Sequence, residues 1–301
     1  MKRFIYQLSL FSLIVFLALY ALFLKADGKS DPFYLRFTSP QQQNLIIGTS
    51  RAAQGIVPEE LSAILGIEIY NYSFTLKHSP FGEVYSNSIK KKLDPKTTDG
   101  TFIIAVDPWS ISSIKDDEGI DLYKEEEGFI AKTPFVNIKP NPFYLLRGYG
   151  SRLVSLLRSS DGSLLLHNDG WLEVTVPMDS SNVVKRRISK IESYKNKQLP
   201  IFSYSKSRLS SLLALTNYLN NYGKVYLVRL PVSQPMLELE NQLMPDFDEK
   251  LKPVTSASAG YLDLSQDASK YEYIDGNHIY KESGKEVSKV IAVWIKDNKL
   301  K

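Results

Sequence analysis

Five short apolar runs, separated by segments with helical periodicity, constrain the fold of this 301-residue chain more than any other feature. The runs are rich in β-branched and aromatic residues, so they predict strands at 44–48, 67–73, 101–108, 224–231 and 260–264. A helix is predicted between the first two, because Pro58 suits a first helical turn and Gly66 a helix end. Strands that alternate with helices are typical of an α/β domain with a largely parallel sheet. We therefore expect an α/β fold with five mostly parallel strands.

The connection between the third and fourth predicted strands is unusually long. Residues 110–200 are rich in Pro, Gly, Ser and aromatic residues, with little helical or strand periodicity. So long a connection is typical of a cap over a site or of a small subdomain. We expect one domain over residues 27–301 with an insertion at about 110–200.

The N-terminus departs from this pattern. Residues 8–24 carry no charge and, with the weakly polar flank 4–7, are long enough as a helix to cross a hydrocarbon core of about 30 Å. A cleaved signal peptide is the alternative, but Leu19 and Leu24 stand where small residues should precede a cleavage site. Residues 1–26 are therefore expected to be an uncleaved membrane anchor. Lys2 and Arg3 favour a cytoplasmic N-terminus, which would place the domain on the extracytoplasmic side.

Composition excludes several classes of function. The chain has no cysteine, which rules out disulfides, thiolate metal sites and a cysteine nucleophile. Its net charge of +4 is spread along the sequence, so a nucleic-acid partner is not expected. The three histidines, His78, His167 and His278, lie far apart without metal-binding spacing. We expect no metal or organic cofactor.

Polar residues follow several of the predicted strands. Gly48-Thr49-Ser50-Arg51, Asn71-Tyr72-Ser73, Asp107-Pro108-Trp109 and Arg229-Leu230-Pro231 all stand at strand ends. In a parallel sheet the carboxyl ends of the strands meet at one edge, where ligands bind. These residues are therefore candidates for a single site.

One serine and one histidine have the setting of a catalytic pair. A serine is a weak nucleophile and needs a base, usually a histidine oriented by a carboxylate. Asp275 and His278 are three residues apart just before the last predicted helix, and side chains at that spacing share one side of a turn. Asp275 would then accept from Nδ1 of His278 and leave Nε2 for the proton of Ser50. An ordinary turn serine is the alternative for Ser50, and a structural histidine is the alternative for His278.

A Gly-x-Ser turn after the first strand, combined with Asp-x-x-His before the last helix, resembles the SGNH/GDSL hydrolase superfamily. The resemblance is greatest to its membrane-anchored branch, which includes DltD-like and alginate-acetylation proteins of the bacterial envelope. It implies a flavodoxin-like three-layer sandwich. It also implies Ser50 as nucleophile, His278 as general base and acid, and Asp275 as the orienting carboxylate.

The same resemblance implies an oxyanion hole made by the backbone amides of Ser50 and Ser73. The chain departs from the family at the third strand, where many secreted members have an asparagine and this sequence has Asp107. An ionised Asp107 would repel an oxyanion, which puts rapid hydrolysis in doubt because each donor contributes about 2.7 to 4 kcal/mol to the barrier.

Other residues near the predicted site allow two interpretations each. Arg51 could bind an anionic substrate or pair with Asp107, and Arg229 could likewise contact substrate or pair structurally. Trp109 could stack on a sugar or simply pack in the interior. His78 and His167 are expected to be exposed surface residues rather than functional ones.

The resemblance implies an esterase or O-acetyltransferase that acts on a cell-surface polysaccharide through an acyl-Ser50 intermediate. A multi-spanning membrane acyltransferase would be a partner that brings the acyl donor. The alternative from a different class is a catalytically inactive anchored protein that binds glycan or serves as a scaffold. Acyl transfer to a teichoic-acid-like polymer differs from the first hypothesis in substrate only.

Overall fold

The computed structural model describes residues 1–157 and 162–299. Within these ranges the chain forms ten β-strands: β1 (Leu45–Ile47), β2 (Tyr70–Asn71), β3 (Gly100–Ala105), β4 (Ser112–Lys115), β5 (Asp121–Leu122), β6 (Leu164–Leu166), β7 (Leu172–Val174), β8 (Phe202–Tyr204), β9 (Gly223–Arg229) and β10 (Gly260–Asp263).

The same ranges contain eleven α-helices: α1 (Lys2–Phe23), α2 (Ser50–Gly55), α3 (Pro58–Leu65), α4 (Glu83–Lys92), α5 (Phe129–Lys132), α6 (Pro142–Arg147), α7 (Ser180–Ser193), α8 (Lys206–Leu219), α9 (Gln234–Leu243), α10 (Phe247–Ala257) and α11 (Lys281–Lys299). Short 3-10 helices cover Tyr34–Phe37, Lys124–Glu127, Leu153–Leu157 and Ser265–Lys270, and a π-helical turn covers Tyr194–Gln198.

The central sheet has five strands in the order β10-β9-β3-β1-β2, all parallel. Counted along the chain these are the first to fifth strands of the sheet, so the order reads 2-1-3-4-5 from the β2 edge, which is flavodoxin-like. The predicted α/β class with a five-stranded parallel sheet is confirmed. The strand order reverses between β1 and β3, and ligands bind at the carboxyl ends of strands beside such a reversal.

Helices cover both faces of this sheet. Ile47 and Ile104 face a core shared with α4, α8 and α10, whereas Ile46 and Ile103 face α2, α3 and α11. Neighbouring residues of a strand point to opposite faces, so each buried strand supplies both cores. The result is a three-layer α/β/α sandwich with the site edge left open.

Some element bounds differ from the sequence prediction. The second strand is only Tyr70–Asn71, although the N–H groups of Tyr72 and Phe74 still donate to the carbonyls of Ile46 and Gly48 at 2.8 and 3.3 Å. On the open edge of the sheet the N–H of Asn71 donates to the carbonyl of Asp169 at 2.8 Å. The helix predicted to open at Ser79-Pro80 begins at Glu83.

The insertion has more regular structure than its sequence indicated. β4 pairs antiparallel with β5 and β8, and β6 pairs with β7 in a hairpin. β8 lies just beyond the predicted end at residue 200, and residues 158–161 lie outside the described residues.

The N-terminal helix α1 is long and apolar enough to cross a membrane, and its apolar window is fully exposed in the structure. Its last turn, in contrast, is part of the domain. Phe23 and the following Ala26 are buried in the same core as Tyr34 and Phe37.

Candidate active site

The turn that carries Ser50 is tight because of Gly48. A Cβ atom at position 48 would lie 2.8 Å from the Cβ of Ala52 and 3.1 Å from that of Ala105, so only glycine fits without movement. The chain therefore turns directly from β1 into α2, whose first residue is Ser50. Its hydroxyl lies at the carboxyl edge of the sheet, beside the reversal of strand order.

The turn that carries Asp275 and His278 is organised by the carboxylate itself. Oδ1 of Asp275 accepts hydrogen bonds from the N–H groups of Asn277 and His278 at 3.0 and 2.9 Å. Gly276 has φ of +82°, a conformation that favours glycine. Asp275 and His278 therefore share one side of the turn, and Nδ1 of His278 lies 3.0 Å from Oδ2 of Asp275.

The structure brings these two turns together across more than two hundred residues of sequence. Nε2 of His278 lies 2.9 Å from Oγ of Ser50. The His278 side chain is 12% exposed and Ser50 is half-buried at the surface of a cleft. Ser50, His278 and Asp275 thus form a continuous hydrogen-bonded chain, the geometry needed to deprotonate a serine hydroxyl.

The environment of Asp275 keeps its carboxylate charged. Burial alone would raise its pKa, but the hydrogen bond and charge of His278, together with Lys190, hold the pKa well below its usual value. Lys190 belongs to α7 of the insertion, and its Nζ lies 3.0 Å from Oδ2. An ionised Asp275 stabilises a positive charge on His278.

A buried ion network lies beneath the serine turn. Glu240 of α9 binds Arg51 at 2.5 Å and Arg229 at 3.1 Å through its two oxygens. Asp107 lies 3.6 Å from Arg51, and Asp263 lies 3.8 Å from Arg229. Burial lowers the pKa of each arginine, but these carboxylates outweigh it and raise both pKa values.

The sequence allowed Arg51, Arg229 and Asp107 as possible substrate contacts, and the structure shows each of them paired with an opposite charge. All three are buried, with about 5% of their surface exposed, and their charges are paired inside the domain. For Arg51 the structure shows the pairing interpretation, with Glu240 as the nearer partner. Asp107 is balanced by Arg51 and its Oδ1 accepts from the N–H of Ser110 at 2.9 Å, so it does not point an unpaired charge at the site.

The network reaches the histidine through Asn277. Oδ1 of Asn277 accepts from Nε and Nη2 of Arg51 at 3.0 and 2.7 Å. Nδ2 of Asn277 lies 3.3 Å from Nε2 of His278. Glu240 thus holds Arg51, and Arg51 holds the turn that presents His278.

Trp109 does not reach the cleft as a sugar platform. It is 1% exposed and packs edge-to-face against Tyr194 and Phe202. The apolar residues of α9 enclose the rest of the ring. The packing interpretation therefore applies to Trp109.

The Ser73 amide is not free to stabilise an oxyanion. Its N–H donates to Oδ1 of Asn71 at 3.1 Å, and Ser73 is fully buried. The side-chain Nδ2 of Asn71 in turn donates to the carbonyls of Ala52 and Ile56, and these two hydrogen bonds hold α2 in place. The Ser50 N–H, as the first of a helix, has no acceptor within the helix.

A cleft of about 460 Å³ opens beside Ser50 and His278. The turn after β2 forms one wall, with Thr75, Leu76 and Lys77, and the insertion forms the other, with Tyr194 and Gln198. Gln54 also lines the cleft, four residues after Ser50 and therefore on the same side of α2. Among the described residues its side-chain amide has no hydrogen-bond partner.

The other two histidines have structural surroundings. His78 was expected to be exposed but is half-buried between Phe33 and Phe129, and burial lowers its pKa to about 4. His167 lies 2.9 Å from Glu173 in the β6–β7 hairpin. Over residues 1–157 and 162–299, no group of three or more His, Asp or Glu side chains is placed to hold a metal ion.

Comparison with solved structures finds several distant matches, among them two esterase structures. One is an inhibitor-bound aryl esterase from M. smegmatis, with a TM-score of 0.37 and 8% identity over 85% of this chain and 99% of that one. The other, designated an arylesterase, comes from Agrobacterium tumefaciens, with a TM-score of 0.33 and 11% identity over 85% and 99% of the two chains. At such low scores neither similarity assigns an activity to this chain.

No protein-family model and no curated protein matches the sequence. The function must therefore be inferred from the site itself.

Replacing Glu240 by Gln is expected to destabilise the fold by about 3–5 kcal/mol, because two buried guanidinium groups lose their shared carboxylate. Urea unfolding of the detergent-solubilised protein measures the change. Glu238→Gln, on the exposed side of the same helix, is the matched control and should shift stability by less than about 0.5 kcal/mol. Equal stability of the two variants would contradict the role of the network.

The depressed pKa of Asp275 predicts a pH-dependent contribution to stability. A carboxylate whose pKa is lower in the folded state contributes stability above its unfolded pKa of about 3.9 and loses it as the pH falls below that value. Wild type should therefore exceed Asp275→Asn in stability at pH 6, and the difference should shrink at pH 3. Urea unfolding at both pH values tests this, with the exposed Asp297→Asn as control. A difference that is independent of pH would refute it.

Proposed function

We propose that this chain is a serine-dependent acyl ester hydrolase or O-acyltransferase of the SGNH type. The observation that carries the proposal is the unbroken sequence of contacts from Ser50 Oγ through His278 to the charged Asp275. The position of Ser50 beside the strand-order reversal supports it, because substrate can reach that edge of the sheet.

The reaction follows from these contacts. Ser50 Oγ attacks the ester carbonyl carbon and gives its proton to Nε2 of His278, while Asp275 stabilises the imidazolium. The carbon–oxygen bond to the alcohol then breaks, and His278 protonates the departing alkoxide. Water or another hydroxyl attacks acyl-Ser50, passes its proton to His278, and the acyl–Ser50 bond breaks as Ser50 recovers a proton.

The oxyanion of each tetrahedral intermediate needs hydrogen-bond donors. The Ser50 N–H is one, as the family resemblance implied. Because the Ser73 amide is engaged by Asn71, we assign the second donor to the side-chain amide of Gln54, which lines the cleft and has no hydrogen-bond partner within residues 1–157 and 162–299. The spacing of four residues from Ser50 is the sequence signal for this assignment.

The lining of the cleft supports a hydroxyl-rich substrate. Lys77, Lys124 and Gln198 offer polar contacts at its walls, and Leu76 and Phe202 offer apolar ones. An acyl, and specifically acetyl, ester of a cell-envelope polysaccharide fits such a mixed surface. The choice between water and a glycan hydroxyl as acceptor defines hydrolase or transferase activity within this proposal.

We also propose that residues 1–26 remain as a membrane anchor and that the domain, residues 27–301, lies on the extracytoplasmic side. Burial of Phe23 and Ala26 in the core supports retention, since cleavage after Ala26 would remove both residues from the domain. The basic Lys2 and Arg3 support the orientation. An anchored enzyme would lie beside a multi-spanning acyltransferase partner in the same membrane.

A non-catalytic glycan-binding or scaffold protein is the second candidate. One observation favours it: the Ser73 amide, a donor that the family resemblance implied, is occupied. This candidate requires that Ser50 show no nucleophilic reactivity.

A fluorophosphonate probe is expected to label Ser50 covalently, with loss of fluoride, because His278 activates the hydroxyl. Labelling and ester turnover should fall by on the order of 10⁴-fold to 10⁶-fold in Ser50→Ala and His278→Ala. Ser62→Ala, on α3 away from the cleft, is the control and should label normally. Mass spectrometry locates the adduct, and an unlabelled Ser50 in folded protein would establish the non-catalytic alternative.

Replacing Gln54 by Leu is expected to lower kcat about 10²-fold to 10³-fold with little change in KM, because an oxyanion donor acts mainly in the transition state. Steady-state hydrolysis of a chromogenic acetyl ester measures both constants. Gln198→Leu removes an amide from the opposite wall and should leave kcat within about threefold. Equal effects of the two substitutions would overturn the assignment to Gln54.

A further inference from the structure

A group of exposed apolar side chains lies on the insertion. Phe135, Leu146, Val154 and Leu157 are 48–65% exposed, and they lie on or beside α6 and the 3-10 helix Leu153–Leu157. We call this group the apolar surface. Large apolar side chains that cluster at the surface mark a place where the protein contacts something less polar than water.

The apolar surface adjoins the end of the N-terminal helix. The C-terminal part of α1 packs against the 3-10 helix Leu153–Leu157. Leu22 and Phe23 of α1 belong to the same core cluster as Leu153, Leu156 and Tyr149. A helix that crosses a bilayer therefore leaves it next to these exposed side chains.

Charge in this part of the chain is of one sign. Residues 128–157 contain four basic residues, all exposed, and no acidic residue. They are Lys132, Lys139, Arg147 and Arg152. Basic side chains beside an apolar face are complementary to anionic lipid headgroups.

Aromatic residues complete the pattern. Phe135 packs against Phe143 with ring centroids 5.2 Å apart, and Tyr149 lies partly buried between α6 and the 3-10 helix. Aromatic side chains are enriched where protein meets the boundary between headgroups and hydrocarbon.

We infer that the apolar surface rests on the bilayer that α1 crosses, with Leu146, Val154 and Leu157 in its interfacial region and the basic residues against anionic headgroups. The inference rests on the anchoring of α1 proposed above. It adds that the domain is seated on the membrane in a fixed orientation rather than hanging from a flexible tether.

The absence of cysteine from the chain makes the test direct. Single substitutions Leu146→Cys, Val154→Cys and Leu157→Cys in the full-length protein each accept an environment-sensitive fluorophore. After reconstitution into vesicles that contain phosphatidylglycerol, quenching by lipids brominated on the acyl chains reports contact with the bilayer.

Two further labels serve as references. Phe11→Cys lies within α1 and reports whether the helix is inserted. Val293→Cys is 49% exposed on α11, which packs on the opposite face of the sheet, and reports an apolar position away from the membrane.

We expect brominated lipid to quench labels on the apolar surface at least about twofold more than the label at position 293, since interfacial residues lie ~5–10 Å into the headgroup and acyl boundary. Quenching at position 11 with none on the apolar surface would overturn this inference alone. No quenching at position 11 would contradict both the proposed membrane anchor and the inference that the domain rests on the bilayer. Energy transfer between labels on the apolar surface of two copies, without quenching, would assign the surface to self-association and overturn the inference.

Charge variants test the headgroup contact. Arg147→Gln with Arg152→Gln should reduce quenching at position 154 by about half in anionic vesicles, because polybasic attraction depends on lipid charge. Lys289→Gln with Lys296→Gln, on α11, is the matched control and should leave quenching unchanged. Equal quenching in all variants would contradict the role of anionic lipid.

Discussion

The site depends on the buried ion pairs that Glu240 forms with Arg51 and Arg229. Arg51 follows Ser50 directly in sequence, Arg229 ends β9, and Glu240 lies on α9. Arg51 also holds Asn277, the neighbour of His278. One buried charge therefore fixes the serine turn, a central strand and the histidine turn relative to one another.

Buried ion pairs of this kind contribute little net stability, because desolvation offsets most of the attraction. Their effect is on geometry. The planar guanidinium of Arg51 donates to Glu240 through one N–H and to Asn277 through two others, so the network restricts where Ser50 and His278 can lie. The Ser50 and His278 side chains lie 2.9 Å apart within that restricted arrangement.

The sequence was sufficient for the sheet and for the placement of the three candidate catalytic residues. Strand periodicity located every strand of the central sheet, and parallel topology then required Ser50 to lie at the edge with the other strand ends. Asp275 and His278 were recognisable because their three-residue spacing is a local property. Strand periodicity and short residue spacings depend only on residues close together in the sequence, so they can be recognised without a structure.

The interior partners were not accessible to the same reasoning. Glu240 stands in a segment for which no function was predicted, and it meets Arg51 only through folding across 189 residues. The burial of Trp109 depends on α9 and on the insertion, neither of which has a pattern that places it over the sheet. Arg229 is paired with Glu240 of the same helix α9. The engagement of Ser73 follows from Asn71, two residues earlier, whose side chain is held in place by the carbonyls of Ala52 and Ile56.

The contact between Lys190 and Asp275 gives the insertion a direct connection to the site. Lys190 is a side chain of the insertion that lowers the pKa of this carboxylate. Any displacement of α7 away from the domain withdraws an ammonium group from Asp275 and makes that carboxylate a stronger partner for a protonated imidazole. The position of α7 therefore affects both the lining of the cleft and the electrostatic surroundings of Asp275.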